Sequence, residues 1–82
     1  MRITYRTLKN LIEKMNEDQL DSDVTVELPT ESTSECYAAD LRIAGEEHDG
    51  GLVEGHPVLY VHLGEAGERM DNVDEIAQYI AL

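Results

Sequence analysis

Three short stretches of this chain alternate apolar and polar residues, and nothing else in the sequence restricts its fold as strongly. Val24-Thr25-Val26-Glu27-Leu28 is the first. In the second, Tyr37, Ala39, Leu41 and Ile43 interleave with Ala38, Asp40, Arg42 and Ala44, starting near Cys36. In the third, Pro57 to Leu63, Leu59, Val61 and Leu63 fall on one face and Val58, Tyr60 and His62 on the other. A period of two is the signature of a half-buried β-strand, because successive side chains leave opposite faces of the sheet. The polar run Pro29 to Ser34 (PTESTS) supplies a turn between the first two strands.

Helical periods flank the strands. Thr4 is suited to an N-cap, with Ile3 before it and Leu8 at the fourth helical position as a hydrophobic staple. Leu8, Leu11, Ile12 and Met15 then form one apolar stripe, with Arg6, Lys9, Asn10, Glu13 and Lys14 opposite. Asn16 caps a short second turn from Glu17 to Leu20. Near the C-terminus, Asn72 and Glu75 have capping-box spacing, and Val73, Ile76, Ala77 and Ile80 mark a short amphipathic helix. The expected fold is α+β: a three-stranded antiparallel sheet with the N-terminal helix and the short C-terminal helix packed on one face, in the order α-β-β-β-α.

The length of 82 residues suits a single domain over 1–82. With no Trp and no Phe, its interior must be filled by Leu, Ile, Val, Met and four Tyr. So small a core leaves little room for a deep catalytic cleft. Cys36 is the only cysteine, so no intramolecular disulfide forms. No charged leader with an apolar run opens the chain and no stretch approaches a membrane span, which makes the cytoplasm the expected compartment, that of the host if the chain is phage-encoded.

Charge is distributed unevenly. Residues 1–15 carry Arg2, Arg6, Lys9 and Lys14 against Glu13, a net of +3, whereas residues 16–82 carry 17 acids against Arg42 and Arg69, a net of −15. A total of −12 disfavours direct contact with nucleic acid or anionic lipid, whose phosphates repel it. The partners that remain are a protein with a basic surface, a cation or small ligand, or a second copy in a homodimer.

Two groups of side chains stand out as candidate sites. If the second and third strands pair antiparallel, Asp40, Arg42, Tyr60 and His62 share one sheet face with Thr25, Glu27 and Val58, and Tyr, Arg and His together resemble a binding hot spot. An ordinary solvated face with an Asp–Arg pair is the plain alternative. The other group is the connection Gly45 to Pro57, rich in Glu46, Glu47, His48, Asp49, Glu54 and His56. Its oxygen ligands suit a cation, but the spacing is not that of an EF-hand, and His48, His56 and His62 with Cys36 match no compact zinc pattern, so no metal site is assigned.

Catalysis finds little support. Glu35 beside Cys36 works against a reactive thiolate, and there is no Gly-rich phosphate loop, no G-x-S-x-G and no C-x-x-C. No catalytic residue and no cofactor are expected. Nucleic-acid mimicry needs carboxylates in rows, and Thr25 interrupts Asp23 and Glu27 on the first strand while Arg42 and His62 dilute the neighbouring ones. The basic stripe Arg6, Lys9 and Lys14 suits a contact with acids of this domain or of a second copy. At the helix N-terminus Arg6 opposes the macrodipole.

Asp23-Val24-Thr25-Val26, Leu41-Arg42-Ile43-Ala44-Gly45-Glu46 and Gly55-His56-Pro57-Val58-Leu59-Tyr60-Val61, together with the amphipathic opening Tyr5 to Met15, resemble a group of small acidic hypothetical proteins of bacterial and bacteriophage genomes. The likeness spans residues 3–62. That group has no established activity, so the resemblance implies no functional residue, only the context of a phage accessory or inhibitor protein acting on a host protein. The expected function is a non-enzymatic protein-interaction module that meets a basic partner. Two alternatives stay open: a homo-oligomer paired through a sheet edge, and a cation or small-ligand binder using the 45–57 loop.

Overall fold

The computed structural model describes residues 1–80; the domain expected over 1–82 extends two residues beyond them. Its elements are α1 (Tyr5–Ile12), α2 (Glu17–Leu20), β1 (Thr25–Pro29), β2 (Ser34–Ile43), β3 (Pro57–Val61) and α3 (Val73–Ile80). The strands form one antiparallel sheet in the order β1-β2-β3. With a helix at each end of the chain, this is the α+β architecture that the sequence implies.

Local chemistry accounts for the helix starts. Thr4 Oγ1 accepts the N–H of Thr7, which satisfies one of the free donors at the start of α1. At α2 the capping is reciprocal: Asn16 Oδ1 accepts from Gln19 N–H at 2.9 Å, and Gln19 Oε1 accepts from Asn16 N–H at 3.0 Å. Asn72 Oδ1 accepts from Glu75 N–H at 3.0 Å at the start of α3. α1 is shorter than its apolar stripe: it ends at Ile12, and Met15 is carried in the following turn, where its N–H reaches Ile12 O.

Tight closure of the β1–β2 turn sets the register. Thr30 N–H and hydroxyl both donate to Thr33 O at 2.7 Å, and Thr33 N–H returns to Thr30 Oγ1 at 3.1 Å. Pro29 then faces Ser34, and Val26 faces Tyr37. β2 therefore starts at Ser34, two residues before the apolar alternation becomes visible. On its other side Leu41 faces Leu59 and Asp40 faces Tyr60. β1 pairs with residues 34–38 of β2 and β3 with residues 39–43, so each outer strand covers half of the central one. β3 ends at Val61; Leu63, expected on the apolar face, lies beyond the strand and is exposed.

Leu41 and Leu59 lie on one face, and α1 stands over it. Tyr5 Oη donates to Pro57 O at 2.9 Å, tying the first turn of α1 to the start of β3. The two layers do not close: Tyr5, Leu8, Ile12 and Met15 on one side and Leu41 and Leu59 on the other line an open apolar groove of about 720 Å³. α3 packs against β2, with Ile76, Ala77 and Ile80 half-buried and Val73 and Tyr79 exposed. Among the described residues Ala44 alone is buried. Leu11, Ile12, Met15, Leu20, Val24 and Leu28, which the alternation assigns to a core, remain exposed.

Candidate protein-interaction face

The β2–β3 register brings Asp40, Arg42, Tyr60 and His62 together, as antiparallel pairing requires. Asp40 and Tyr60 are directly opposed, Arg42 faces Val58, and His62 N–H donates to Ala38 O at 2.9 Å just past the end of β3. These side chains leave the sheet on the face opposite Leu41 and Leu59, because neighbours along a strand alternate.

Asp40 organises the group. Its Oδ1 accepts from Arg42 Nε at 2.9 Å and its Oδ2 from Arg42 NH2 at 3.3 Å, a two-point grip on the guanidinium plane. The same Oδ2 lies 2.9 Å from His62 Nε2. An ionised carboxylate only accepts, so Nε2 carries the hydrogen of this bond. Partial burial pushes the Asp40 carboxyl up, but the hydrogen bonds and charges of Arg42 and His62 outweigh it, and the net direction is below the usual carboxylate value. The Arg42 guanidinium is held above its usual value chiefly by its hydrogen bond to Asp40.

Held in this way, Arg42 lies flat over a ring. Its Cζ is 3.6 Å from the Tyr60 centroid, a cation–π stack, and the Tyr60 ring meets the His62 ring edge-on at 5.5 Å. Tyr60 is 48% exposed, and Ala38 and Val58 lie half-buried alongside. An aromatic and a hydrogen-bonded arginine thus sit stacked together on an open face.

Asp40, Arg42 and His62 also border a wide groove of about 1420 Å³, whose other side is formed by residues 66–71 and the Ile76, Tyr79 and Ile80 side chains of α3. Arg69 NH2 donates to Asp23 Oδ1 at 2.6 Å across 46 residues of sequence and fixes the 66–71 segment beside β1. No local pattern signals that ion pair. Asp23, expected on the first strand, lies before β1 and is occupied by this pair, which leaves Glu27 as the acid on that strand.

The acidic connection is an excursion with a clamped base. Ala44 N–H donates to His56 O at 2.8 Å and Gly55 N–H to Ala44 O at 2.9 Å. Gly55 has φ +88°, a backbone that side chains with a Cβ rarely adopt. His48 is half-buried and its Nδ1 accepts from Gly50 N–H at 3.0 Å, leaving no room for a Cβ at Gly50. Glu46, Glu47, Asp49, Glu54 and His56 are exposed. Among the described residues no three His, Cys, Asp or Glu side chains converge on a common point suited to a metal ion. Cys36 faces Glu27 on β1 and is exposed, two strand positions beyond Ala38 from the His62–Asp40 pair.

No helix among the described residues is long and apolar enough to cross a membrane. No family model, curated protein or solved structure matches the chain, so its functional reading rests on the geometry of this face.

Proposed function

We propose that this chain is a non-enzymatic interaction module that docks a protein with a basic surface through the Asp40, Arg42, Tyr60 and His62 face. The observation that carries the reading is the Arg42–Tyr60 stack braced by Asp40. Tyr and Arg are the residues that most often dominate binding energy at interfaces, and rigid ones lose least entropy on docking. The surrounding charge serves approach: with 17 acids against two Arg after residue 15, the domain steers toward positive surfaces and away from phosphates. A phage accessory or inhibitor role in a host cytoplasm is the setting that this reading suits. Tyr60→Ala tests it. Affinity for the partner falls by about 2 kcal/mol, as hot-spot truncation does, while the circular dichroism spectrum stays that of the wild type.

A further inference from the structure

A folded monomer of 9.2 kDa exposes about 4,900 Å² of surface and has a radius of gyration of about 12 Å. This chain exposes 7449 Å² and has a radius of gyration of 14.2 Å. The excess of about 2,500 Å² per chain, about 5,000 Å² for two copies, reaches the upper part of the roughly 2,000–5,000 Å² that obligate homodimers bury in total. Part of the exposed apolar surface lies on or beside the two amphipathic helices. Leu11 is 49% and Met15 41% exposed at α1, and Val73 is 75% and Tyr79 77% exposed on α3.

The same two regions carry opposite charge. Residues 1–15 have a net of +3; residues 65–80 have a net of −4, five acids against Arg69. α1 has no acid in its first turn and α3 has Asp74 and Glu75 in its own. From these observations we infer that the occupant of the open helix side is a second copy of the chain, with α1 of each copy laid against α3 of the other. The arrangement is isologous, so one complementary contact forms twice and closes the assembly. It covers Leu11 and Met15 with Val73 and Tyr79 and brings the positive segment 1–15 beside the negative segment 65–80. A chain with net charge −12 otherwise repels its own copy, and these two contacts set its positive segment beside a negative one. The inference is drawn from α1 and α3 and uses neither Arg42 nor Tyr60, although Tyr79 and Arg42 border one groove.

Sedimentation of the full chain, from low micromolar to submillimolar concentration, measures the assembly directly. The expected mass is twice 9.2 kDa. Met15→Ser with Tyr79→Ser leaves net charge unchanged and weakens dimerisation at least about tenfold, since the truncation uncovers apolar contact on both sides. Lys9→Glu with Lys14→Glu weakens it comparably, and adding Asp74→Lys with Glu75→Lys restores it. A mass of 9.2 kDa throughout overturns the inference, whether that monomer is folded or unfolded; an unfolded one assigns the open surface to a different protein. A dimer that ignores all of these variants overturns it equally.

Discussion

The guanidinium of Arg42 lies 3.6 Å above the ring of Tyr60, and both of its hydrogen-bonded nitrogens are taken by the Asp40 carboxylate. The two residues are not direct cross-strand partners, since Arg42 faces Val58 and Tyr60 faces Asp40. Arg42 therefore reaches diagonally, and the strand twist together with the Asp40 grip brings it over the ring. Neither side chain alone defines a docking surface. Stacked, they offer a flat, half-exposed plate with one positive centre and one phenolic hydroxyl.

Asp40→Asn reveals how much the carboxylate contributes. Its folded value lies below the ordinary 3.8, so the stabilisation is present above that value and disappears as pH falls through the lower, folded one. The side chain is 45% exposed and solvent screens it, which limits the effect to below about 1 kcal/mol. Urea midpoints of wild type and variant therefore differ slightly at neutral pH and converge in acid below the ordinary carboxylate range. A gap that stays constant down to full protonation contradicts the assignment.

The strands were legible because alternation is a local property, and so were the caps at Thr4 and Asn16. The junctions were not. Ser34 and Glu35 are polar and give no alternation signal, yet the Thr30–Thr33 turn extends β2 to include them. Leu63 continues the apolar pattern of β3, but Gly64 follows it and pairing stops at Val61. The Asp40, Arg42, Tyr60 and His62 group followed once antiparallel pairing was assumed. The Asp23–Arg69 pair did not, because 46 residues separate its members and neither lies in a periodic segment. Stripe composition also predicts a closed core, whereas closure depends on how far α1 stands from the sheet, which periodicity does not encode.

Loss of the α2 cap has a defined cost. Asn16→Ala removes the Oδ1 acceptor of the Gln19 N–H, leaves the backbone N–H of residue 16 free to donate to Gln19 Oε1, and destabilises the domain by about 1 kcal/mol. In a chain of 82 residues that is a sizeable share of the total, so the denaturation midpoint shifts visibly while the m-value holds. An unchanged midpoint means that α2 contributes nothing to the cooperative unit.

Two glycines of the acidic connection respond in opposite directions to the same substitution. Gly55→Ala forces a Cβ onto a backbone at φ +88° and loosens the Ala44 clamp, costing about 1 kcal/mol or more. Gly45→Ala meets no atom within 4 Å and no such backbone, so it is neutral or stabilises by up to about 1 kcal/mol through the unfolded chain. Thermal melts of both variants check the contrast; equal shifts contradict the described base of the loop.

The central claim is that the stacked face docks a protein, and parallel capture by wild-type chain and by Tyr60→Ala with Arg42→Ala measures it most directly. Both baits are presented to the same bacterial lysate, washed at low and at high salt, and the retained proteins quantified. A protein held in stoichiometric amount by the wild type at high salt and lost from the double variant is the predicted result. Identical sets on the two baits, or a set that leaves both together as salt screens the acidic surface, contradict it.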